Sequence, residues 1–326
     1  MSDVDRSSAL HVRARDIPMP AHLSPAAQAM LAQPREILEY PPADDIAKWR
    51  DYIARLDGVV LAMLQPLASQ ISADSEATEV NGVRVFTSTP HGAAVRDGAI
   101  FLDVHGGALV AGGGESCRIL GGLWADKVGA RTCSVDYRMP PDHPYPAGLD
   151  DCLTVYRAML QDHDPAKIII SGTSAGGNLA AAMILRARDE GLPLPAATVL
   201  ISPEVDLTES GDSFHANMGV DTTLTRSLMP ANLLYAGGCD LTDPYVSPLF
   251  GDFSKGFPPT LLTAGTRDLF LSNAVRMHRA LRAADIPAEL HIAEAAPHSG
   301  LGNSPEGQAI NAEVRRFVDT YWKRAS

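Results

Sequence analysis

A serine, an aspartate and a histidine occupy positions from which they could run acyl transfer together. Ser174 sits in Gly172-Thr-Ser-Ala-Gly176, straight after the β-branched run 168–170 and straight before a helical pattern through Leu179, Met183 and Arg186. A strand that turns at once into a helix places its serine at the tip of a tight bend. The hydroxyl then faces outward, and the free N–H groups of the helix start lie behind it. Glycine at 172 and 176 keeps a Cβ from colliding with the neighbouring strand or helix. Asp268 ends the loop that follows the apolar run 259–264, and His298 lies in the loop after the run 288–293. Serine as nucleophile, histidine as base and aspartate as the group that fixes the imidazole tautomer amount to the chemistry of carbonyl-ester cleavage.

That chemistry needs donors for a developing oxyanion. The buried run 99–104 ends in His105-Gly106-Gly107-Ala108, and two adjacent glycines at a strand end permit a backbone that aims N–H groups into a cleft. The N–H groups of Gly106, Gly107 and Ala175 are the expected set. Gly112 to Gly114 reads as a loop and not as a phosphate cradle, because no lysine follows in the required place. Other titratable residues fit less well. His291 falls within a strand, His278 in mid-helix, Asp240 and Asp243 in an irregular stretch, and Asp285 at a helix end.

Apolar runs of strand length alternate with helical patterns from about residue 99 onward. This predicts a mostly parallel central sheet with helices on both faces. Asn81-Gly82 between valines predicts an antiparallel hairpin at the sheet's start. Residues 1–70 read as an N-terminal helical cap segment, with one helix starting at Ser24-Pro25 and running to about 38, and a second over about 44–63. Tyr40 and Trp49 in that segment are candidates for an acyl pocket. Residues 71–326 form the core, interrupted over about 204–243 by a second cap segment with a helix near 225–235. Ser272 is expected to cap the helix that runs to Ala284, and the last helix starts near Pro305.

Composition bounds the function. Of 326 residues 45% are hydrophobic and 20% charged, and 39 acidic residues against 27 Lys and Arg give a formal net charge of −12. No basic stripe exists to neutralise phosphates, which argues against nucleic acid as a partner. The opening MSDVDRSSAL has no apolar h-region, and no stretch is long and apolar enough for a membrane span, so a cytoplasmic location is expected. Cys117, Cys133, Cys152 and Cys239 lack metal-ligand spacing and read as reduced structural residues.

With HGG, the segment Tyr137-Arg-Met-Pro-Pro-Asp-His-Pro-Tyr-Pro146, GTSAGG and the late Asp and His in place, residues of about 75–322 resemble the hormone-sensitive-lipase family of bacterial esterases. The threonine before the nucleophile resembles its GTSAG branch. The resemblance implies an α/β-hydrolase fold with a helical cap, and a cofactor-free serine carboxylesterase acting on small or short-chain acyl esters through an acyl-serine intermediate. By position it implies Ser174, Asp268 and His298 as triad and Gly106, Gly107 and Ala175 as oxyanion donors, with His105 and Asp142 bracing the oxyanion loop and its neighbour. It also leaves room for a homodimer. The chain departs from the family pattern at Ala108, Asp142, Glu204 and Gly300. Glu204 reads equally as a hydrogen-bond partner of the triad or as a cap residue. A lactone hydrolase would use the same machinery. A non-catalytic small-molecule receptor on this fold, as in plant gibberellin receptors, lacks the histidine that His298 supplies.

Overall fold

Each central strand carries two alternating sets of apolar side chains, and each set meets a different layer of helices. In the computed structural model, which describes residues 14, 16–33, 37–91 and 98–323, the strands are β1 (Asp74–Val80), β2 (Val83–Thr89), β3 (Ile100–Val104), β4 (Arg131–Val135), β5 (Ile168–Thr173), β6 (Ala197–Ile201), β7 (Thr260–Gly265) and β8 (Ala288–Ala293). They form one sheet in the order β1-β2-β4-β3-β5-β6-β7-β8. The pairs β1/β2 and β2/β4 are antiparallel and all the others parallel. Phe101, Ile169, Val199 and Leu261 point to one face, under Trp124 and Val128 of α3 (Glu115–Val128) and Val314, Phe317 and Trp322 of α9 (Pro305–Lys323). Their sequence neighbours Leu102, Ile170, Leu200 and Leu262 point to the other face. There they meet α4 (Ala147–Asp162), α5 (Ala175–Asp189) and α8 (Leu271–Ala283). Burial on both faces is why these strands read as continuous apolar runs, and each fully buried Ile or Leu contributes about 2 kcal/mol.

Register sets the site. Val104 pairs with Gly172, Thr173 with Ile201, Ile201 with Thr263, and Gly265 with Ala293. The parallel strands therefore end nearly level, and the loops after β3, β5, β7 and β8 emerge along one sheet edge.

The N-terminal helices brace those loops. In α1 (Pro25–Leu31), Ser24 caps Ala27, and Ala27 and Leu31 pack with Leu23 on Ala295, Ala296 and Leu301, on either side of His298. α1 ends at Leu31, short of the expected 38; positions 34–36 of that prediction, like the amino-terminal MSDVDRSSAL, lie outside the described residues. α2 (Ile46–Ala68) runs five residues past the expected end. Its docking on α3 explains the extension, since Ile71 seats on Gly122 and Ser72 bonds Asp126. Over residues 204–243 the strand–helix alternation gives way to α6 (Ser213–Ala216) and α7 (Met229–Ala236). Ser272 does not cap α8, whose cap residue is Phe270. It exchanges hydrogen bonds with Ser213 at 2.9 Å each and so ties α6 to α8. Among the described residues no helix is long and apolar enough to cross a membrane.

Candidate active site

Ser174 is held in an unfavourable backbone conformation, φ 57° and ψ −123°, that the surrounding chain over-determines. Its N–H donates to Ile201 O at 2.8 Å, and Gly177 N–H donates to its carbonyl at 2.9 Å. The turn admits no larger residues: a Cβ on Gly172 would lie 2.1 Å from Gly176 O, and one on Gly176 would lie 1.9 Å from Val104 O. Ser174 Oγ is 2.8 Å from His298 Nε2, and His298 Nδ1 is 3.1 Å from Asp268 Oδ1. An ionised aspartate only accepts, so the proton sits on Nδ1 and the Nε2 lone pair faces the serine hydroxyl. The imidazole edge also rests on Phe270, with ring centroids 4.8 Å apart.

Burial favours the neutral forms of His298 and Asp268, but their mutual attraction wins. The Asp268 charge and hydrogen bond, with the Asp221 charge behind them, hold His298 above its ordinary value of 6.5. His298, the Ser202 hydroxyl and the Phe270 N–H hold Asp268 below the usual carboxylate range.

Across the serine stands the loop after β3. Gly107 has φ 132°, and a Cβ there would meet Ala111 O at 1.9 Å. Val110 and Ala111 N–H groups close the turn on Gly107 O. Among the described residues, no hydrogen bond uses the N–H groups of Gly106, Gly107 or Ala175, which leaves three donors free around Ser174. His105 stacks on Tyr137 at 4.1 Å and contacts Gly106 O at 2.8 Å through Nδ1, while Tyr137 donates to His105 O. From α2, Asp57 accepts Gly112 N–H at 2.7 Å. This loop is thus fixed from below and from the side.

Other predicted positions fall elsewhere. Asp142 is exposed and pairs with Arg50 of α2 at 2.6 Å; it binds the proline-rich segment to the N-terminal helices and does not touch the oxyanion loop. The carboxyl of Glu204 makes no hydrogen bond to the triad. It is fully buried, neither oxygen makes a well-formed hydrogen bond among the described residues, and burial, reinforced by Glu209 and only partly offset by the Asn232 amide, pushes it up to about 8. Only its backbone serves the elbow, through Glu204 N–H to Ser174 O at 3.1 Å and Asn178 Nδ2 to Glu204 O at 2.9 Å. Tyr40 and Trp49 pack together with Tyr52 and line a groove of about 810 Å³ with Pro141, Arg226 and Leu233. None of the triad or loop glycines lines that groove, but Tyr40 also packs in one apolar cluster with Ala108, next to Gly107, and with Phe270, which rests on His298. Asp240 and Asp243 cap local turns, and His291 pairs with Glu289 on the sheet's edge strand.

Asp221 was not foreseen. Its buried carboxylate accepts the N–H groups of Thr223 and Leu224 beside it, Leu269 after Asp268, and His298 itself, at 2.8 to 3.2 Å. It therefore fixes the loops of acid and base relative to each other. The only local signal was an Asp followed by Thr-Thr, a common turn pattern. A second cluster, His105, Cys117 and Asp136, has ligand atoms within 4.8 Å of one another. It does not fit a metal: Asp136 is committed to Arg84 and Gly114 N–H, and burial drives the Cys117 thiol well above its usual range.

With this geometry in place, comparison with known proteins is informative. The profile of the Abhydrolase_3 family, described as alpha/beta hydrolase fold, matches residues 101–301. An esterase of Acinetobacter venetianus is 32% identical over 230 residues, 67% of this chain and 74% of that protein. The crystal structure of an esterase E25 superposes with a TM-score of 0.88 at 35% identity, covering 95% of this chain and 98% of the other. An esterase from the bacterial hormone-sensitive lipase family gives 0.79 at 30% identity, covering 92% and 99%.

Proposed function

This chain belongs to the alpha/beta hydrolase fold family, within its bacterial hormone-sensitive-lipase group, and from that premise we propose how its residues carry out the work of a serine carboxylesterase. Ser174 is the nucleophile. His298 Nε2 takes its proton as Oγ attacks the ester carbonyl, and the oxygen that gains charge is received by the N–H groups of Gly106, Gly107 and Ala175. Each such donor is worth about 3 kcal/mol at the transition state. The tetrahedral adduct collapses as His298 returns the proton to the leaving alkoxide, leaving acyl-Ser174. Water, deprotonated by the same imidazole, then attacks the acyl carbon, and the carboxylic acid departs with Ser174 restored. Asp268 keeps the imidazole in the productive tautomer and stabilises the imidazolium. Asp221 and His105 act through those groups, one holding the triad loops and the other the oxyanion loop.

The observation that carries this reading is the unbroken line from Ser174 Oγ to His298 to Asp268, facing three free amide donors. The substrates are small esters, with short acyl chains expected first. Ser174→Ala should lower kcat on p-nitrophenyl butyrate by a factor on the order of 10⁶. It should also abolish labelling by a fluorophosphonate. Turnover unchanged by that substitution would overturn the assignment.

A further inference from the structure

On the opposite side of the sheet from α5 lies a second space, about 530 Å³, roofed by the end of α2 and walled by α3 and α9. Its floor is the C-terminal ends of β5, β6 and β7 at Thr173, Ile201 and Thr263. The walls are mostly apolar, with Leu120, Leu123 and Trp124 on one side and Ile310 on the other. Gly300 borders it and offers no side chain to fill it: a Cβ there would meet nothing within 4 Å. One cation lines this space, Lys127, with its ammonium 4.0 Å from the Trp124 ring centroid.

The ammonium is poorly matched. Among the described residues no carboxylate lies within ion-pair distance of it, and its neighbour Asp126 is spent on the Ser72 backbone and hydroxyl. The opposing charge it feels is that of Asp103 on β3, itself pushed up to about 7 by burial, so that charge is incomplete near neutral pH. Burial accordingly pulls Lys127 down to about 8. An apolar space with a single under-compensated cation stabilises a monoanion with an apolar body. It suits a multiply charged phosphate less well, because its lining residues include no arginine and no second cation, and Asp126 borders it as well.

We propose that this cavity is a binding site for a small aliphatic or aryl carboxylate, with the carboxylate on Lys127 and the chain over Leu120, Leu123, Trp124 and Ile310. The ligand class is that of the acids released by ester hydrolysis, but the site is separate from the triad and does not depend on the esterase reading. Its wall includes Thr173, next to Ser174, and Ser299, next to His298, so an occupant touches the loops of nucleophile and base.

Titration calorimetry with sodium octanoate and, separately, 1-octanol tests this on the full chain. Octanoate should bind saturably and more tightly than octanol. Lys127→Met should weaken octanoate by about tenfold or more while leaving octanol unchanged, and Lys127→Arg should restore most of the octanoate affinity. Leu123→Trp, which fills the space, should weaken both ligands. Retained p-nitrophenyl butyrate turnover reports that these variants fold, and Lys127→Gln replaces Lys127→Met if the latter does not. Octanoate binding that survives Lys127→Met would place the acid elsewhere, against the oxyanion donors for instance, and overturn the proposal. So would equal affinity for octanoate and octanol, or no saturable binding at all.

Discussion

Glu204 offers the sharpest test of the physical account of this site, because its cost can be worked out from its surroundings. The carboxyl is fully buried, makes no well-formed hydrogen bond among the described residues and faces the like charge of Glu209; against the weak pull of the Asn232 amide, these push it from an ordinary 4.5 to about 8. The unfolded chain ionises Glu204 freely above pH 4.5, whereas the folded chain keeps it protonated until about pH 8. Stability is therefore undiminished below the lower value, falls as pH rises between the two, and is level again above the higher one. Each pH unit in that window costs about 1.4 kcal/mol, so the loss between pH 5 and pH 7 is about 2.5 kcal/mol. Glu204→Gln replaces the protonated acid with a neutral group of the same shape and removes the loss. Urea unfolding of both proteins at the two pH values measures it, since titrations common to both cancel in the difference. The variant should gain about 2.5 kcal/mol relative to the parent on going from pH 5 to pH 7 and should keep its esterase turnover. A difference that does not move with pH would show that Glu204 is ionised in the folded protein, and the reasoning from burial would fail.

Other consequences can be checked on the same protein. The kcat/KM for a neutral ester should fall as pH drops through the His298 value, with a midpoint above 6.5, because the charges of Asp268 and Asp221 outweigh burial; a midpoint below 6.5 would contradict that balance. Asp268→Asn should shift this midpoint downward and reduce kcat by a factor on the order of 10⁴. Asp221→Ala strips the acceptor from four N–H groups and should cost about 3 kcal/mol of stability, read by urea unfolding, whereas Asp221→Asn should recover part of it. Gly107→Ala forces a Cβ against Ala111 O, so the loop must move. Steady-state kinetics should show a loss of about a hundredfold in kcat with KM less affected.

The sequence by itself determined what depends on neighbours in the chain. Runs of β-branched and apolar residues defined all the central strands, Asn81-Gly82 defined the hairpin, and glycine on both sides of Ser174 identified the elbow, because period, turn chemistry and the room for a Cβ are local properties. The placement of Ser174, Asp268 and His298 just past strand ends was legible for the same reason. What only the tertiary structure decided were the pairings across long stretches of chain. Asp221 joins Leu269 and His298 across 48 and 77 residues, α1 packs beside a base loop some 270 residues away, and the extension of α2 follows from its seat on α3. Asp142 was expected to brace the segment beside the oxyanion loop, but its partner Arg50 was hidden because a prolyl segment's path does not reveal which helix it meets. Glu204 and Lys127 are polar letters in the sequence. Only the packed layers decide that one loses its donors and the other borders an apolar space, since desolvation is a property of everything that surrounds a group rather than of its neighbours along the chain.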